Sequence, residues 1–158
     1  MLLIRQAAVY APEYLGVRDV LVCGGVIEAV EEQIEGELPF CKVIDGRGKK
    51  LTPGFIDPHV HITGGGGEGS FHTQVPPVKL SELLQGGVTS LVGLLGTDGI
   101  SRNMESLLAR AKALKEEGMT VYLCTRSYGY PSVTLTGDIR QAIMFVEGII
   151  GGKIALSD

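Results

Sequence analysis

Along this chain the alternation of hydrophobic and polar positions changes rhythm once, near Pro53. Before it, apolar runs are short and bounded by glycine or charge, which is the pattern of β-strands. Asp19-Val-Leu-Val-Cys23, the pair Gly24-Gly25 and Val26-Ile-Glu-Ala-Val30 predict a hairpin on a glycine turn. Cys41-Lys-Val-Ile-Asp45 continues the pattern and ends in Gly46-Arg-Gly48. Residues 1–52 hold no cluster of catalytic residue types.

Beyond Pro53 strands and helices alternate. Residues 54–61 predict a first strand, and residues 78–85 a short helix with Leu80, Leu83 and Leu84 on one face, stopped by Gly86-Gly87. The apolar run 88–95 reads as a buried parallel strand. Asn103 is placed to cap a second helix, whose stripe is Met104, Leu107, Leu108, Ala111 and Leu114 and whose stop is Gly118. Residues 120–125 predict a third strand. Asp138 caps a third helix with Ile139, Ala142, Ile143, Val146 and Ile150 inward, and Lys153-Ile-Ala-Leu156 predicts a fourth strand. Such alternation implies an α/β fold, a parallel sheet with crossover helices. Two closures satisfy it: an open doubly wound sheet, or the first half of an eight-stranded barrel, since a whole barrel takes ~250 residues.

Composition narrows the classes. With 44% hydrophobic and 20% charged residues in 158, the chain has the make-up of a globular protein and can bury a core. A formal charge of −4 gives no basic footprint, so no nucleic-acid partner is expected. No run approaches eighteen apolar residues and the opening lacks a leader's charged and apolar regions, so neither a membrane span nor secretion is expected. Cys23, Cys41 and Cys124 are odd in number and far apart, which argues against a disulfide framework and for the cytoplasm. The 23 glycines include four in succession, Gly64 to Gly67, a run that either enters backbone conformations other residues avoid or lets a ligand approach the backbone.

Three features carry chemistry. In His59-Val60-His61 the two imidazoles project to one side at the end of a strand, either as a pair whose spacing suits one zinc ion or as two surface or core histidines that happen to alternate; the preceding Pro53-Gly-Phe-Ile-Asp57 favours the first. Lys153 lies in an otherwise apolar run, either snorkelling to water from the strand end or held as a neutral amine that captures carbon dioxide as a carbamate. Gly64-Gly-Gly-Gly-Glu68 is either a solvated loop or a rim that offers a carboxylate to a cationic ligand group. Thr97 and Tyr128 follow the second and third strands in equivalent places, as turn formers or rim residues, and His72 reads as an exposed loop histidine.

Pro53-Gly-Phe-Ile-Asp-Pro-His-Val-His61 is similar to the strand-one signature of the amidohydrolase superfamily. Tyr10-Ala-Pro-Glu13, the segment from His59 to Glu68, Gly87-Val-Thr-Ser-Leu-Val-Gly-Leu-Leu-Gly-Thr-Asp98 and Lys153-Ile-Ala-Leu-Ser-Asp158 together resemble the isoaspartyl dipeptidases, over essentially the whole chain. The resemblance implies that residues 1–52 are the N-terminal part of a small β-sandwich. Residues 53–158 would be the first four β/α units of a metal-dependent (β/α)8 barrel. It further implies that His59 and His61 bind the more buried of two zinc ions, and that carboxylated Lys153 bridges both. Gly66, Glu68 and Thr97 would hold the substrate's α-amino and α-carboxylate end, with Glu68 facing the amine. Tyr128 would polarise the scissile carbonyl. The implied activity is hydrolysis of the β-aspartyl amide bond of a small dipeptide by a full-length, homo-oligomeric parent. The family's remaining histidine ligands, its catalytic aspartate and its substrate-binding arginine lie on later strands, so the second metal site is incomplete here and this chain alone is expected to be inactive. The alternatives are another binuclear amidohydrolase, dihydropyrimidinase-like or a deacetylase, or a truncated, non-catalytic module.

Overall fold

The computed structural model describes residues 1–36, 38–125 and 134–154. The chain forms two compact units, Met1–Pro53 and Gly54–Asp158.

The first unit is a mixed sheet of β1 (Leu2–Tyr10), β2 (Tyr14–Cys23), β3 (Val26–Glu31), β4 (Lys42–Asp45) and β5 (Lys50–Leu51). The order is β3-β2-β1-β4, with β5 also on β1; β1 pairs antiparallel with β2 and parallel with β4 and β5. The expected hairpin is present: Cys23 faces Val26 across Gly24 and Gly25, whose φ angles of 58° and 85° fit a tight turn that side chains would strain. Ala7, Val9 and Val20 form a small core with Ile4, Val22 and Leu51 around them.

The polar pair Arg5-Gln6 interrupts β1, and the ladder to β2 shifts register between Ile4 and Ala7. Asp19 explains how that interruption is tolerated. Its carboxylate is 1% exposed and accepts from the Gln6 amide (2.9 Å), the Ile34 amide (3.1 Å) and the Arg5 guanidinium (2.9 Å). Burial pushes the carboxyl up, but the two amides and Arg5 outweigh it and leave the pKa below its ordinary value. A depressed carboxyl stabilises the fold above the unfolded pKa of about 3.9, and that contribution is lost as pH falls through the lower folded value. Asp19→Ala strands three donors and is expected to destabilise the unit by about 2–3 kcal/mol at neutral pH, read as a lower urea midpoint. The gap between variant and wild type should narrow below about pH 4.

The second unit contains β6 (Phe55–Val60), β7 (Gly65–Gly66), a 3-10 turn (Phe71–Thr73), β8 (Gln74–Val75), α1 (Leu80–Gln85), β9 (Val88–Gly93), α2 (Met104–Glu116), β10 (Thr120–Thr125), α3 (Ile139–Phe145) and β11 (Ile149–Gly152). Strands β6, β9, β10 and β11 pair parallel in that order, so neighbours in sequence are neighbours in space with no reversal. α2 lies on β10, and α3 on β10 and β11. Leu91, Val121, Leu123 and Ile149 face this helix layer and pack with Met104, Leu107, Ala111, Leu114 and Ala142. Alternate positions, among them Ile56, Tyr122 and Ile150, lie on the opposite, exposed face. The caps are those expected: Asn103 Oδ1 accepts from the Ser106 amide, and Asp138 Oδ1 from that of Gln141.

Four local expectations are corrected. The second strand of the parallel sheet ends at Gly93 rather than Leu95, although Leu94 and Leu95 stay buried. In α1 only Leu83 is buried and Leu84 is 52% exposed, because six residues present too little helix for a full apolar face. α3 stops at Phe145, leaving Ile143 at 42% exposure and Ile150 outside the helix. Val146 turns extended there, and Gly148 reverses the chain at a φ of 89°. The fourth strand is therefore Ile149–Gly152, where Gly151 and Gly152 run beside Cys124 and Thr125; Lys153 and Ile154 follow it, and residues 155–156 of the expected strand lie outside the described residues. Among the described residues, no helix is long and apolar enough to cross a membrane.

Candidate functional site

In parallel α/β sheets, ligands bind beyond the carboxyl ends of the strands. The expected residues gather there. β6 ends with Asp57-Pro-His-Val60, where the Asp57 carboxylate accepts from the His59 amide (3.0 Å) and the ladder to β9 shifts register. His59 is exposed and His61 half-buried just past the strand; their ring centroids are 5.3 Å apart and tilted by 42°.

Two glycines press against His61. A Cβ on Gly65 would stand 2.7 Å from its Nδ1, and one on Gly96 3.2 Å away. Its Nε2 is buried and has no hydrogen-bond partner among the described residues. Burial first, then the positive Lys153 and His59, push the imidazole pKa below the ordinary histidine value, while Glu68 pulls the other way. A neutral ring protonated at Nδ1 would present the lone pair of this unpartnered, buried Nε2 to a ligand.

Lys153 is the first residue after β11. Its amide donates to the Thr125 carbonyl (3.0 Å), continuing the ladder by one bond. Its Nζ reaches across β10 to donate to the Leu95 carbonyl (3.0 Å), beside the Gly96 that touches His61. The lysine thus lies half-buried over the carboxyl ends of the strands instead of within one.

The glycine run lies beside His61 and Gly96. Gly65 and Gly66 pair with Val75 and Gln74, and a Cβ on Gly66 (φ 68°) would stand 2.5 Å from the Thr73 carbonyl oxygen. Glu68 extends from this excursion, and its Oε1 accepts from the Thr97 hydroxyl at 2.5 Å. That hydroxyl first, then a backbone amide, His61 and Arg102, hold the Glu68 carboxyl below its ordinary pKa, despite some opposing burial. Gly66, Glu68 and Thr97 line a cleft of about 440 Å³ with Phe71, Asp98 and Ile100. Glu68 is therefore an ionised acceptor at the edge of a cleft large enough for a small ligand.

His72 is exposed in the 3-10 turn, and the three cysteines are free. Tyr128 lies outside the described residues. Among the described residues, no three His, Cys, Asp or Glu side chains converge on one metal position. The sequence reading missed Arg102, whose mostly buried guanidinium lies against Asp98; only the spacing of four residues between the two charges signals it.

No protein-family model matches the chain. A beta-aspartyl dipeptidase from Fervidobacterium islandicum AW-1, solved in complex with β-Asp-Leu, is 46% identical over 99% of this chain and 42% of its own, with a TM-score of 0.90. A second structure of the enzyme from that organism gives 0.93 at the same identity. A dihydroorotase from Elusimicrobium minutum is 30% identical over 99% of this chain. A D-hydantoinase from Thermus sp., at 21% identity and a TM-score of 0.61, shares the fold. The chain spans about a third of the curated relative's length (34%) and under half of the dipeptidase structures (42% and 43%). The resemblance to the isoaspartyl dipeptidases of the amidohydrolase superfamily thus holds along nearly the whole of this chain.

Proposed function

We propose that this chain supplies the N-terminal β-sandwich strands (residues 1–52) and the first four β/α units (residues 53–158) of a cytoplasmic, homo-oligomeric (β/α)8 amidohydrolase that hydrolyses isoaspartyl dipeptides. The unreversed strand order β6-β9-β10-β11 supports a barrel, because a doubly wound sheet changes direction at a switch point. The observation that carries the substrate is the Glu68–Thr97 pair. An ionised carboxylate at the rim of a cleft suits a free α-ammonium, and Gly66 lines the same cleft, where the α-carboxylate would lie.

The donor set fits a metal in part. The buried, unpartnered Nε2 of His61 and the adjacent His59 ring would hold one zinc ion. Lys153, as a carbamate, would be a further anionic ligand. Zinc held there would supply Lewis-acid polarisation of the scissile carbonyl and a water acidic enough to ionise near neutrality. Gly66, Glu68 and Thr97 orient the aspartyl end, and the depressed Glu68 carboxyl keeps its charge throughout the neutral range. Tyr128 donates to the oxygen on which charge develops.

The dihydroorotase relative favours a second reading, a ring-opening hydrolase of a cyclic amide. Glu68 separates the two, since a cyclic amide brings no free amine. Glu68→Gln is expected to lower kcat/KM for β-aspartyl-leucine by roughly tenfold to a hundredfold, the value of a charge-assisted hydrogen bond. N-acetyl-β-aspartyl-leucine should be a poor substrate for the wild type and lose little more in the variant. Equal losses for both substrates would refute ammonium recognition by Glu68.

A further inference from the structure

Arg102 precedes the Asn103 cap of α2 and has none of the roles above. Its side chain is 13% exposed. Nε donates to the Thr63 carbonyl (3.1 Å), Nη2 to that of Val75 (3.1 Å), and Nη1 faces Asp98 Oδ2 at 3.5 Å. These partners belong to two segments. Thr63 and Val75 stand near the two ends of the excursion that carries Gly65, Gly66 and Glu68, closed by the β7–β8 pairing. Asp98 follows Thr97, and its carboxylate also accepts from the Ile100 and Ser101 amides and the Ser101 hydroxyl. One planar cation therefore ties together both supports of a hydrogen bond whose partners are 29 residues apart.

We propose that Arg102 is a positioning residue that sets Glu68 against Thr97 for recognition of the substrate's free α-amine, an inference that rests on the function proposed above. It touches no reacting atom. Two of its donors go to main-chain carbonyls, those of Thr63 and Val75, that flank the glycine-rich segment. Its charge also helps keep Glu68 ionised. A rim built on Gly64 to Gly67 has wide backbone freedom, and a fork with fixed geometry removes it.

The test compares Arg102→Ala, Arg102→Lys, Glu68→Gln and the double variant Arg102→Ala/Glu68→Gln in the complete enzyme, on β-aspartyl-leucine and its N-acetyl derivative. Arg102→Ala should lower kcat/KM for the free-amine substrate by roughly tenfold or more and leave the acetylated one unchanged. Arg102→Lys should recover only part, because an ammonium keeps the charge and loses the fork. The double variant should be no worse than Glu68→Gln, since the arginine acts through the glutamate. Hydrogen exchange gives a readout independent of turnover: protection should fall in residues 63–75 and 96–101 of Arg102→Ala and persist in α2 and β10. Additive losses, equal losses on both substrates, or unchanged exchange in the two segments would overturn the proposal. If Glu68→Gln treats the two substrates alike, the ammonium reading itself fails, and the exchange data still decide whether Arg102 holds the Glu68–Thr97 contact.

Discussion

Lys153→Ala is expected to abolish turnover of β-aspartyl-leucine in the complete enzyme and to release at least one zinc ion. The amine extends over the carboxyl ends of the strands, 3.0 Å from the Leu95 carbonyl and near enough to depress the His61 pKa. Beside two bound dications an ammonium would be disfavoured and the neutral amine favoured. In the proposed function that amine would add to carbon dioxide with release of a proton, giving a carbamate whose negative charge suits a metal site. Lys153→Arg should not rescue, because a guanidinium stays charged and carries no carbamate. Short-chain carboxylates should restore a fraction of the alanine variant's activity by taking the vacated place. Since Lys153 is half-buried beyond the strand end, its loss should leave the melting transition of the metal-free protein nearly unchanged. Elemental analysis, the mass of the intact side chain and the activity of Lys153→Arg decide the matter. A zinc-replete, active arginine variant would return Lys153 to a cation that merely caps the Leu95 carbonyl.

The second large effect is expected from His59→Ala. His59 is exposed while His61 is wedged between Gly65 and Gly96, so removing His59 tests metal binding without disturbing packing. The variant should lose zinc affinity by more than roughly a hundredfold, since even outer partners of metal ligands are worth ten- to hundredfold, and activity should fall with it. Unchanged zinc stoichiometry would remove the histidine pair from the metal. The corresponding change at His61 is less clean, because it also empties a packed position against two glycines.

Where a few neighbouring residues settle the conformation, the sequence was informative. Gly24-Gly25 admits the positive φ angles of a hairpin, and the two strands were legible on either side of it. Asn103 caps α2, and the stripe Met104, Leu107, Ala111 and Leu114 is buried as its spacing requires; Leu108, at the edge of that stripe, is half-buried. Strand β10 has the bounds that its apolar run implies. The closeness of the two histidines was legible, though the strand expected over residues 54–61 ends at Val60, so only His59 lies within it and His61 follows just beyond, their rings 5.3 Å apart. Motif resemblance went further than periodicity, placing the chain among relatives that share its fold along nearly its whole length.

Other features answer to residues distant in sequence. Nothing near Asp19 signals that it will be buried against the interruption of β1 and a loop amide at Ile34. Lys153 was read inside a strand, but pairing with β10 draws Ile149–Gly152 into the ladder and leaves the lysine beyond it. The contact of Glu68 with Thr97, and the arginine that joins Thr63, Val75 and Asp98, exist only once two strand ends and a glycine excursion are brought together. The sequence by itself determined the local elements, their caps and turns, and the residue types available at the strand ends, because those follow from bonds and sterics within a few residues. Only the tertiary structure decided which of those residues meet, because long-range packing selects among registers and helix lengths that local preference leaves close in energy.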